Sequence, residues 1–408
     1  MGKNKPKGGA LGGFDQLRAP DAPTISVTVA SEQISVAFTN PSDVGGGAIT
    51  SYTATATASG VSTGATSATS PVTITGLTNG TSYSVTGLAN NAFGASSYSD
   101  ASSSTPALLT RGLFAGGNQH GTFTIVNVVD FIDITTTGNA TDFGDLSSAA
   151  QWCGGLSSNT RGCISLGAVA SDNSGNSDTI EYFTIASTGN ATDFGNFSDD
   201  DRGGTAGLSN NTRGIFGGGQ DNSFNRRSEM LYITIASTGN TTSFGELTPG
   251  AAARMGGCAS TTRGVYGGGS IASGSGHQDV IQYVTIASTG NGTDFGNLTY
   301  SRQLLASCSS STRGLFAGGN PDTNIIDYIT IASTGNATDF GDLLTAGNSR
   351  AACSSSVRGV VGGGDNGAYI NVIQYVTIGS AGNATDFGDL TVARARLAAC
   401  SSAHGGIA

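Results

Sequence analysis

From about residue 107 to the C-terminus, branched and aromatic residues alternate with polar ones in short runs, and turns rich in Gly, Ser, Thr and Asn separate the runs. The run from Ile326 to Ile331 is one example, and the Thr-Gly-Asn turn that begins at Thr334 follows it. Alternation of period two predicts β-strands, and Gly and Asn suit tight turns because they adopt positive φ at little cost. No stretch has the 3.6-residue apolar period of a helix, so the pattern predicts an all-β chain.

The same succession of strands and turns recurs six times in this region. Each copy has an Arg-Gly pair, a strand that ends in Gly-Gly in all copies but the second, an alternating strand and a closing strand that contains Phe. The Arg residues are Arg111, Arg161, Arg213, Arg263, Arg313 and Arg358, which lie 45 to 52 residues apart. The Phe residues are Phe143, Phe194, Phe244, Phe295, Phe340 and Phe387. A period of this length predicts a repeat architecture, here with four strands in each copy.

These copies resemble the repeats of kelch-type β-propellers, which also have an upstream Arg, a Gly-Gly pair, a Tyr in strand three and an aromatic residue in strand four. Phe replaces the usual Trp, and charged residues are few. The resemblance implies that residues 107–408 form a six-bladed propeller. The segment from Arg396 to Ser402 repeats the start of a copy, so we expect the C-terminal strand to close the first blade. Residues 403–408 either overlap the second strand of that blade or lie over its rim.

Residues 20–106 lack the repeat and contain short strands with frequent turns, the pattern of a β-sandwich. Three segments resemble a fibronectin type III domain: the one from Ala19, the loop from Pro41 to Tyr52, and the one from Leu77 to Tyr83, which matches its tyrosine corner. The fold class is therefore expected to be a fibronectin type III-like β-sandwich followed by a six-bladed kelch-like β-propeller. Residues 1–19 are rich in Gly and Lys, and we expect a flexible tail that is too polar for a signal peptide.

Composition excludes several classes of partner. The net charge is −10 and only 11% of residues are charged, which argues against binding to nucleic acid or to anionic membranes. No apolar run is long enough to insert into a membrane. The Cys residues alternate with Leu at one repeat position, as at Cys258 and Leu208, so we expect buried free thiols.

Motifs for catalysis, cofactors or structural metals are not found, and we expect a protein that is not an enzyme, has no cofactor and has no catalytic residue. The acidic run of Asp199, Asp200 and Asp201 suits either a solvated loop or a cation site. An oxygen-rich loop also has the ligand types of a Ca²⁺ site, with Asp172, Asn173, Asn176 and Asp178. The six Asn-x-Thr sequences are interpreted as repeated turns rather than glycosylation sites.

The repeated Arg allows two interpretations. Six guanidinium groups at one level could surround an anion, or each could pair with turn carbonyls and with a nearby carboxylate such as Asp142. We favour the second. The third copy tests it, because Ser243 replaces the Asp there.

The two ends of the repeats differ in variability. The connections between strands one and two and between strands three and four are nearly constant, Thr-Arg-Gly and Ser-Thr-Gly-Asn, and we call their end the constant face. The connections between strands two and three and between strand four and the next copy vary in length and sequence, and their end is the variable face. Because variable loops on a fixed scaffold commonly carry recognition, the variable face is the candidate binding surface. Besides the acidic run, its candidate residues are Trp152, Phe224, Arg226, Arg227, Tyr300 and Tyr369, all taken to be exposed; plain loop drift is the alternative.

The whole chain resembles bacteriophage virion structural proteins, particularly of marine cyanophages, which join an Ig-like module to glycine-rich propeller repeats. The resemblance implies a tail, baseplate, fibre or capsid-decoration component, present in multiple copies and assembled in the bacterial cytoplasm. Residues 1–19 and the sandwich would contact other virion proteins, and the propeller would contact a host surface glycan or protein or a neighbouring virion protein. The alternatives are a bacterial cell-surface adhesin and a carbohydrate-binding or carbohydrate-active protein.

Overall fold

The computed structural model describes residues 17–30, 32–106, 110–119, 124–170, 175–199, 201–271 and 276–407. Strands and turns make up this part of the chain, with no helix in it, so the all-β prediction is confirmed. The chain divides into two compact units, Met1–Leu109 and Thr110–Ala408. Nearly all of the expected N-terminal tail lies outside the described residues. Arg18 is described, and it is held by ion pairs with Asp21 and Asp43.

The described part of the first unit forms two antiparallel sheets, of three and five strands. One sheet has the order β1-β2-β5, and the other has the order β4-β3-β6-β7 with β8 also paired to β6. The strands are β1 Thr24–Ala30, β2 Gln33–Thr39, β3 Ser51–Ala58, β4 Val61–Ser67, β5 Val72–Thr75, β6 Tyr83–Asn91, β7 Gly94–Ala95 and β8 Ser102–Ser104.

Alternate residues of these strands form one apolar core, which includes Ile34 and Ala54. Phe38 stacks on Tyr52, with 4.8 Å between the ring centroids, and it also fills the space next to Gly87. The Tyr83 hydroxyl accepts a hydrogen bond of 3.0 Å from the backbone N–H of Thr78, five residues upstream. This bond fixes the turn that enters β6.

The second unit consists of six antiparallel sheets of four strands each. The first strands are β12 Gly154–Ser157, β16 Ala206–Ser209, β20 Gly256–Ala259, β24 Ala306–Ser309, β28 Ala351–Ser354 and β32 Ala398–Ser401. The second strands are β9 Arg111–Ala115, β13 Arg161–Ser165, β17 Arg213–Gly217, β21 Arg263–Gly267, β25 Arg313–Ala317 and β29 Arg358–Gly362. The third strands are β10 Val128–Asp133, β14 Thr179–Thr184, β18 Glu229–Thr234, β22 Val280–Thr285, β26 Thr323–Thr330 and β30 Val372–Thr377. The fourth strands are β11 Thr141–Asp145, β15 Thr192–Asn196, β19 Thr242–Glu246, β23 Thr293–Asn297, β27 Thr338–Gly347 and β31 Thr385–Asp389.

The six sheets form a closed ring. Each first strand contacts the first strands of the sheets before and after it, and β32 contacts both β28 and β12. The C-terminal strand β32 completes the first sheet, whose order is β11-β10-β9-β32, so the two ends of the unit meet in one sheet. We number the sheets one to six from the one that contains β9.

Small residues let neighbouring sheets approach closely. The Gly of each Arg-Gly pair lies against the Cys or Leu in the first strand of the preceding sheet, as Gly314 does against Cys258. A Cβ at that position would overlap the neighbouring side chain, so only Gly fits. All six Cys are free and buried, as the sequence predicts. Burial raises the pKa of the Cys308 thiol to about 12, so the group stays protonated and unreactive at neutral pH.

The outer strands are tied to the next sheet by the repeated Asn. The side-chain oxygen of each turn Asn accepts a hydrogen bond of 3.0–3.1 Å from a backbone N–H of the preceding fourth strand. These residues are Asn139, Asn190, Asn240, Asn291, Asn336 and Asn383. The bonds occupy part of an otherwise open sheet edge, and they agree with the interpretation of the Asn-x-Thr sequences as turn chemistry.

Candidate functional site

The repeated Arg residues join each sheet to the next at the constant face. Arg263 lies over the Tyr283 ring of its own sheet, at 4.2 Å from the centroid, and its Nη1 donates a 2.9 Å hydrogen bond to the Ile331 carbonyl of the next sheet. The other five make equivalent contacts, at 4.2–4.6 Å and 2.8–3.2 Å. The carbonyl part of the favoured interpretation is therefore observed.

The carboxylate part of that interpretation is wrong. Among the described residues, the six repeat Arg residues take part in no ion pair. Arg213 makes the same contacts as the others although Ser243 replaces the Asp of its copy. The contacts also turn each guanidinium towards a ring and a carbonyl, which is not the arrangement of an anion ring. The repeated Phe residues are buried and meet the same aromatic ring edge-on, at 5.9–6.2 Å between centroids.

At the constant face, a ring of hydroxyl groups surrounds the axis. The last residue of the first strand is Ser in five sheets and Ala259 in the fourth. Each Ser hydroxyl donates a bond of 2.7–2.8 Å to the carbonyl at the same position of the preceding sheet. The Ser residues are Ser157, Ser209, Ser309, Ser354 and Ser401.

The C-terminal residues cover this end of the axis. His404 Nε2 lies 3.0 Å from the Ser157 carbonyl, and His404 Nδ1 accepts a hydrogen bond from the Gly406 N–H. Gly405 donates to the Ser309 carbonyl at 3.0 Å. Burial lowers the pKa of His404 to about 4, so the ring is neutral at pH 7, which suits one donor and one acceptor nitrogen. Residues 402–407 therefore lie over this end of the ring and do not overlap the second strand of the first sheet. This is the second of the two placements considered for this segment.

At the variable face, backbone hydrogen bonds alone close the ring. The residue two positions before each first strand donates its N–H to the carbonyl of its counterpart in the preceding sheet, at 2.8–3.0 Å, through all six sheets. All six have φ between +56° and +69°. They are Trp152, Gly204, Arg254, Leu304, Ser349 and Arg396. Their side chains differ widely, and they line a cleft at this end of the axis, which we call the axial cleft.

Trp152 corrects one expectation, because its side chain is only 9% exposed. The guanidinium carbons of Arg254 and Arg396 each lie 4.5 Å from the centroid of its ring. Arg254 also donates to Gln220 Oε1 at 3.3 Å, and Arg396 donates to Gln151 Oε1 at 3.0 Å. The predicted recognition residue is thus enclosed by two Arg residues that sequence reasoning missed.

The two missed Arg residues have a positional signal in the sequence. Counting four residues back from the repeated Leu or Cys position aligns Trp152, Arg254 and Arg396, but the residue types share nothing that would draw attention. Burial, together with the positive charges of Arg226 and Arg396, lowers the pKa of Arg254 to about 10. The group remains charged at neutral pH.

The other candidate residues lie in separate loops of the variable face. Phe224 is 43% exposed and Tyr300 is 47% exposed, in agreement with the expectation. Arg226 is half-buried and donates to Ser270 Oγ at 3.1 Å and to the side-chain oxygen of Gln220. Arg227 is also half-buried and forms an ion pair with Asp221 at 3.6 Å.

Tyr369 is half-buried, and its backbone bridges to Asp365. Arg226, Arg227 and Tyr369 are therefore less exposed than expected. Arg227 and Tyr369 contact residues of their own loops, and Arg226 contacts Gln220 and also Ser270 of the next sheet.

The acidic run is partly neutralised by its own neighbour. Asp199 forms an ion pair with the buried Arg202, which also lies 3.3 Å from Glu229, and Asp201 accepts a hydrogen bond from Asn222. Asp200 lies outside the described residues, as do Asp172 and Asn173 of the oxygen-rich loop. In the part of the chain that the structure describes, no three His, Cys, Asp or Glu side chains converge as metal ligands would.

No protein-family model matches this chain, and neither does any curated protein sequence. The residues that the structure describes form no helix long and apolar enough to cross a membrane.

Proposed function

We propose that this chain is a non-enzymatic structural protein of a bacteriophage virion, and that it binds other molecules through the variable face. On this proposal residues 20–106 are a fibronectin type III-like β-sandwich and residues 107–408 are a six-bladed kelch-like β-propeller. Two small antiparallel sheets and the Tyr83–Thr78 bond support the first assignment. Six four-stranded sheets in a closed ring, completed by the C-terminal strand, support the second.

The observation that carries the binding proposal is the difference between the two faces of the ring. At the constant face, every sheet repeats the same Arg, Asn and Gly contacts with its neighbour. At the variable face the backbone ring is equally regular, yet the side chains in the axial cleft and the loops around it differ from sheet to sheet. A rigid support with individual loops at one end is the usual arrangement of a recognition surface.

The place in the virion is proposed from the modules. The Gly/Lys-rich residues 1–19 and the sandwich contact other virion proteins, and the ring contacts a host surface glycan or protein or a neighbouring virion protein, in multiple copies per particle. Six free Cys residues suit assembly in a reducing bacterial cytoplasm, since they need no oxidising compartment.

Cryo-electron microscopy of purified virions from the source tests the proposal. Ring density with the variable face outward supports host contact, and ring density with that face against another virion protein supports a role in assembly. Particles that lack the chain would contradict the proposal and favour the bacterial adhesin. Polysaccharide turnover by the purified protein that is lost in Asp199→Asn and Asp201→Asn variants would favour a carbohydrate-active enzyme instead.

A further inference from the structure

The axial cleft carries positive charge that neutral groups surround. The contacts of Arg254 and Arg396 described above are with the Trp152 ring and with amide oxygens. Among the described residues, neither Arg takes part in an ion pair. The Nε–H group of Arg254 is buried and donates a hydrogen bond to no group in the structure. Two guanidinium groups therefore share a partly buried site and keep hydrogen-bonding capacity.

This arrangement differs from that of two fully buried Arg residues in the ring. Arg302 pairs with Asp327 at 3.0 Å and Arg394 pairs with Asp130 at 3.1 Å, and all four side chains are fully buried. There the chain supplies a carboxylate to each buried guanidinium. In the axial cleft, Arg254 and Arg396 instead lie over the same Trp152 ring with their positive charges near one another, although the whole chain carries a net charge of −10. Such repulsion costs folding free energy, and an anionic ligand would relieve it.

The size of the axial cleft limits what can enter. Its volume is about 80 Å³, far below the roughly 300–1,000 Å³ of pockets that enclose a drug-sized molecule. Leu304, Ser349 and Leu397 line it together with Arg254, Arg396 and a third Arg, Arg350. The space suits a single anionic group rather than a whole sugar ring or a folded peptide. The remainder of any ligand must lie outside, over the loops of the variable face.

We propose that the axial cleft binds one carboxylate or phosphate group of an anionic surface glycan, held by Arg254 and Arg396. This inference rests on the proposed function, because it specifies the chemistry of the host contact. Guanidinium groups bind both anions through paired N–H donors. The exposed rings of Phe224 and Tyr300 on the same face favour a glycan over an acidic peptide, since aromatic faces accept the C–H groups of sugars.

The test uses Trp152, the single Trp of the chain, as a reporter. Fluorescence of the full chain is titrated with an oligogalacturonate, a phosphorylated oligosaccharide, the matching neutral oligosaccharide, inorganic phosphate and poly-glutamate. We expect the two anionic glycans, or one of them, to change the fluorescence and the neutral one to leave it unchanged. Arg254→Gln and Arg396→Gln each remove charged donors and should weaken binding about tenfold or more. Arg18→Gln, which removes the same charge from an ion-paired Arg outside the six-sheet ring, is the matched control.

The outcomes separate the sources of the anion and the two proposals. Binding of the galacturonate alone assigns a carboxylate, and binding of the phosphorylated sugar alone assigns a phosphate. Three results would overturn the inference: no response to either glycan, glycan binding by both Arg→Gln variants as strong as that of the original chain, or a response to poly-glutamate alone. Each variant is first checked by denaturant unfolding, and Arg396→Lys, which keeps the charge but not the paired donors, should bind with intermediate strength. If virions contain the protein but the glycans do not bind, only this inference fails and the proposed function stands.

Discussion

Neighbouring sheets of the six-sheet ring are joined by different chemical groups at its two ends. At the constant face, side chains join the sheets, so the same residues recur. They are the Ser residues whose hydroxyls surround the axis and the Arg residues at the start of the second strands. At the variable face, backbone N–H and carbonyl groups join the sheets, so the side chains at the same level range from Gly204 to Trp152. The difference shows where a repeat is free to vary. It varies where backbone groups alone bond the neighbouring sheet, and it is constant where a side chain makes that bond.

The largest expected effect concerns the Gly that follows the repeated Phe. Gly341 has φ +141°, and a Cβ there would overlap the Gly382 carbonyl of the next sheet. We expect Gly341→Ala to lower the free energy of unfolding by roughly 4 kcal/mol, from backbone strain and overpacking together. Gly379→Ala is the control, because its Cβ meets open space and copies two to five have Ala there. Equal denaturation curves for the two variants would show that the close approach of the sheets is not the reason why the same residues recur at the constant face.

The next prediction concerns the pH dependence of the C-terminal cover. The pKa of docked His404 is lowered from 6.5 to about 4, so a released tail binds the proton more tightly than the docked one. The docking free energy that the neutral ring contributes is complete above pH 6.5 and is lost as the pH falls towards 4. The loss is about 3 kcal/mol at most, at 1.36 kcal/mol per pKa unit. Carboxypeptidase digestion should remove the tail much faster at pH 4.5 than at pH 7.5.

A variant separates this titration from general acid sensitivity. His404→Gln keeps a side-chain donor near the Ser157 carbonyl but cannot titrate, so its digestion rate should depend little on pH. A pH dependence as steep as that of the original chain would show that another group controls tail release. The residues that line this end of the axis are otherwise neutral, so His404 is the only titrating candidate among them near pH 5.

A smaller effect is expected from the repeated Arg. Arg263→Gln removes a charged donor to the Ile331 carbonyl and the contact with the Tyr283 ring. We expect a loss of about 2 kcal/mol in the free energy of unfolding. On the variable face, Arg227→Gln removes a half-buried ion pair with Asp221, which is worth about 0–1 kcal/mol. Urea denaturation of both variants measures the difference, and similar losses would remove the distinction between the two faces.

The sequence predicted the parts of the fold that local chemistry determines. The alternation around Tyr328 predicts strands, and the recurrence of Arg-Gly and Phe-Gly predicts repeated four-stranded units, which are confirmed. The exchange of Cys258 for Leu208 at one position correctly indicates free, buried thiols, because both residues fill the same space beside a neighbouring Gly.

The axial cleft was beyond such reasoning. Trp152 was predicted to be an exposed residue of a variable loop. Its ring instead contacts Arg254 and Arg396, about 100 and 240 residues away in the sequence. Only closure of the ring brings these residues together. For the same reason, the repeated Arg was assigned a carboxylate of its own copy, whereas its partner is a carbonyl of the next sheet. Contacts within a copy can be inferred from one repeat, and contacts between copies need the ring.

The smallest expected effect lies at the single gap in the hydroxyl ring. Ala259 offers no hydroxyl to the Ser209 carbonyl, and Gly406 of the tail lies so close to that carbonyl that a Cβ would overlap it. We infer that the gap admits the tail, so Ala259→Ser should compete with it and weaken docking by about 1 kcal/mol. At 1.36 kcal/mol per unit, the pH of tail release would rise by about 0.7. Ala352→Ser, at a neighbouring position where the fifth sheet already has Ser307, should leave it unchanged. If the Ala259→Ser variant releases the tail at the same pH as the original chain, the missing hydroxyl is not what allows the C-terminal residues to dock at the constant face.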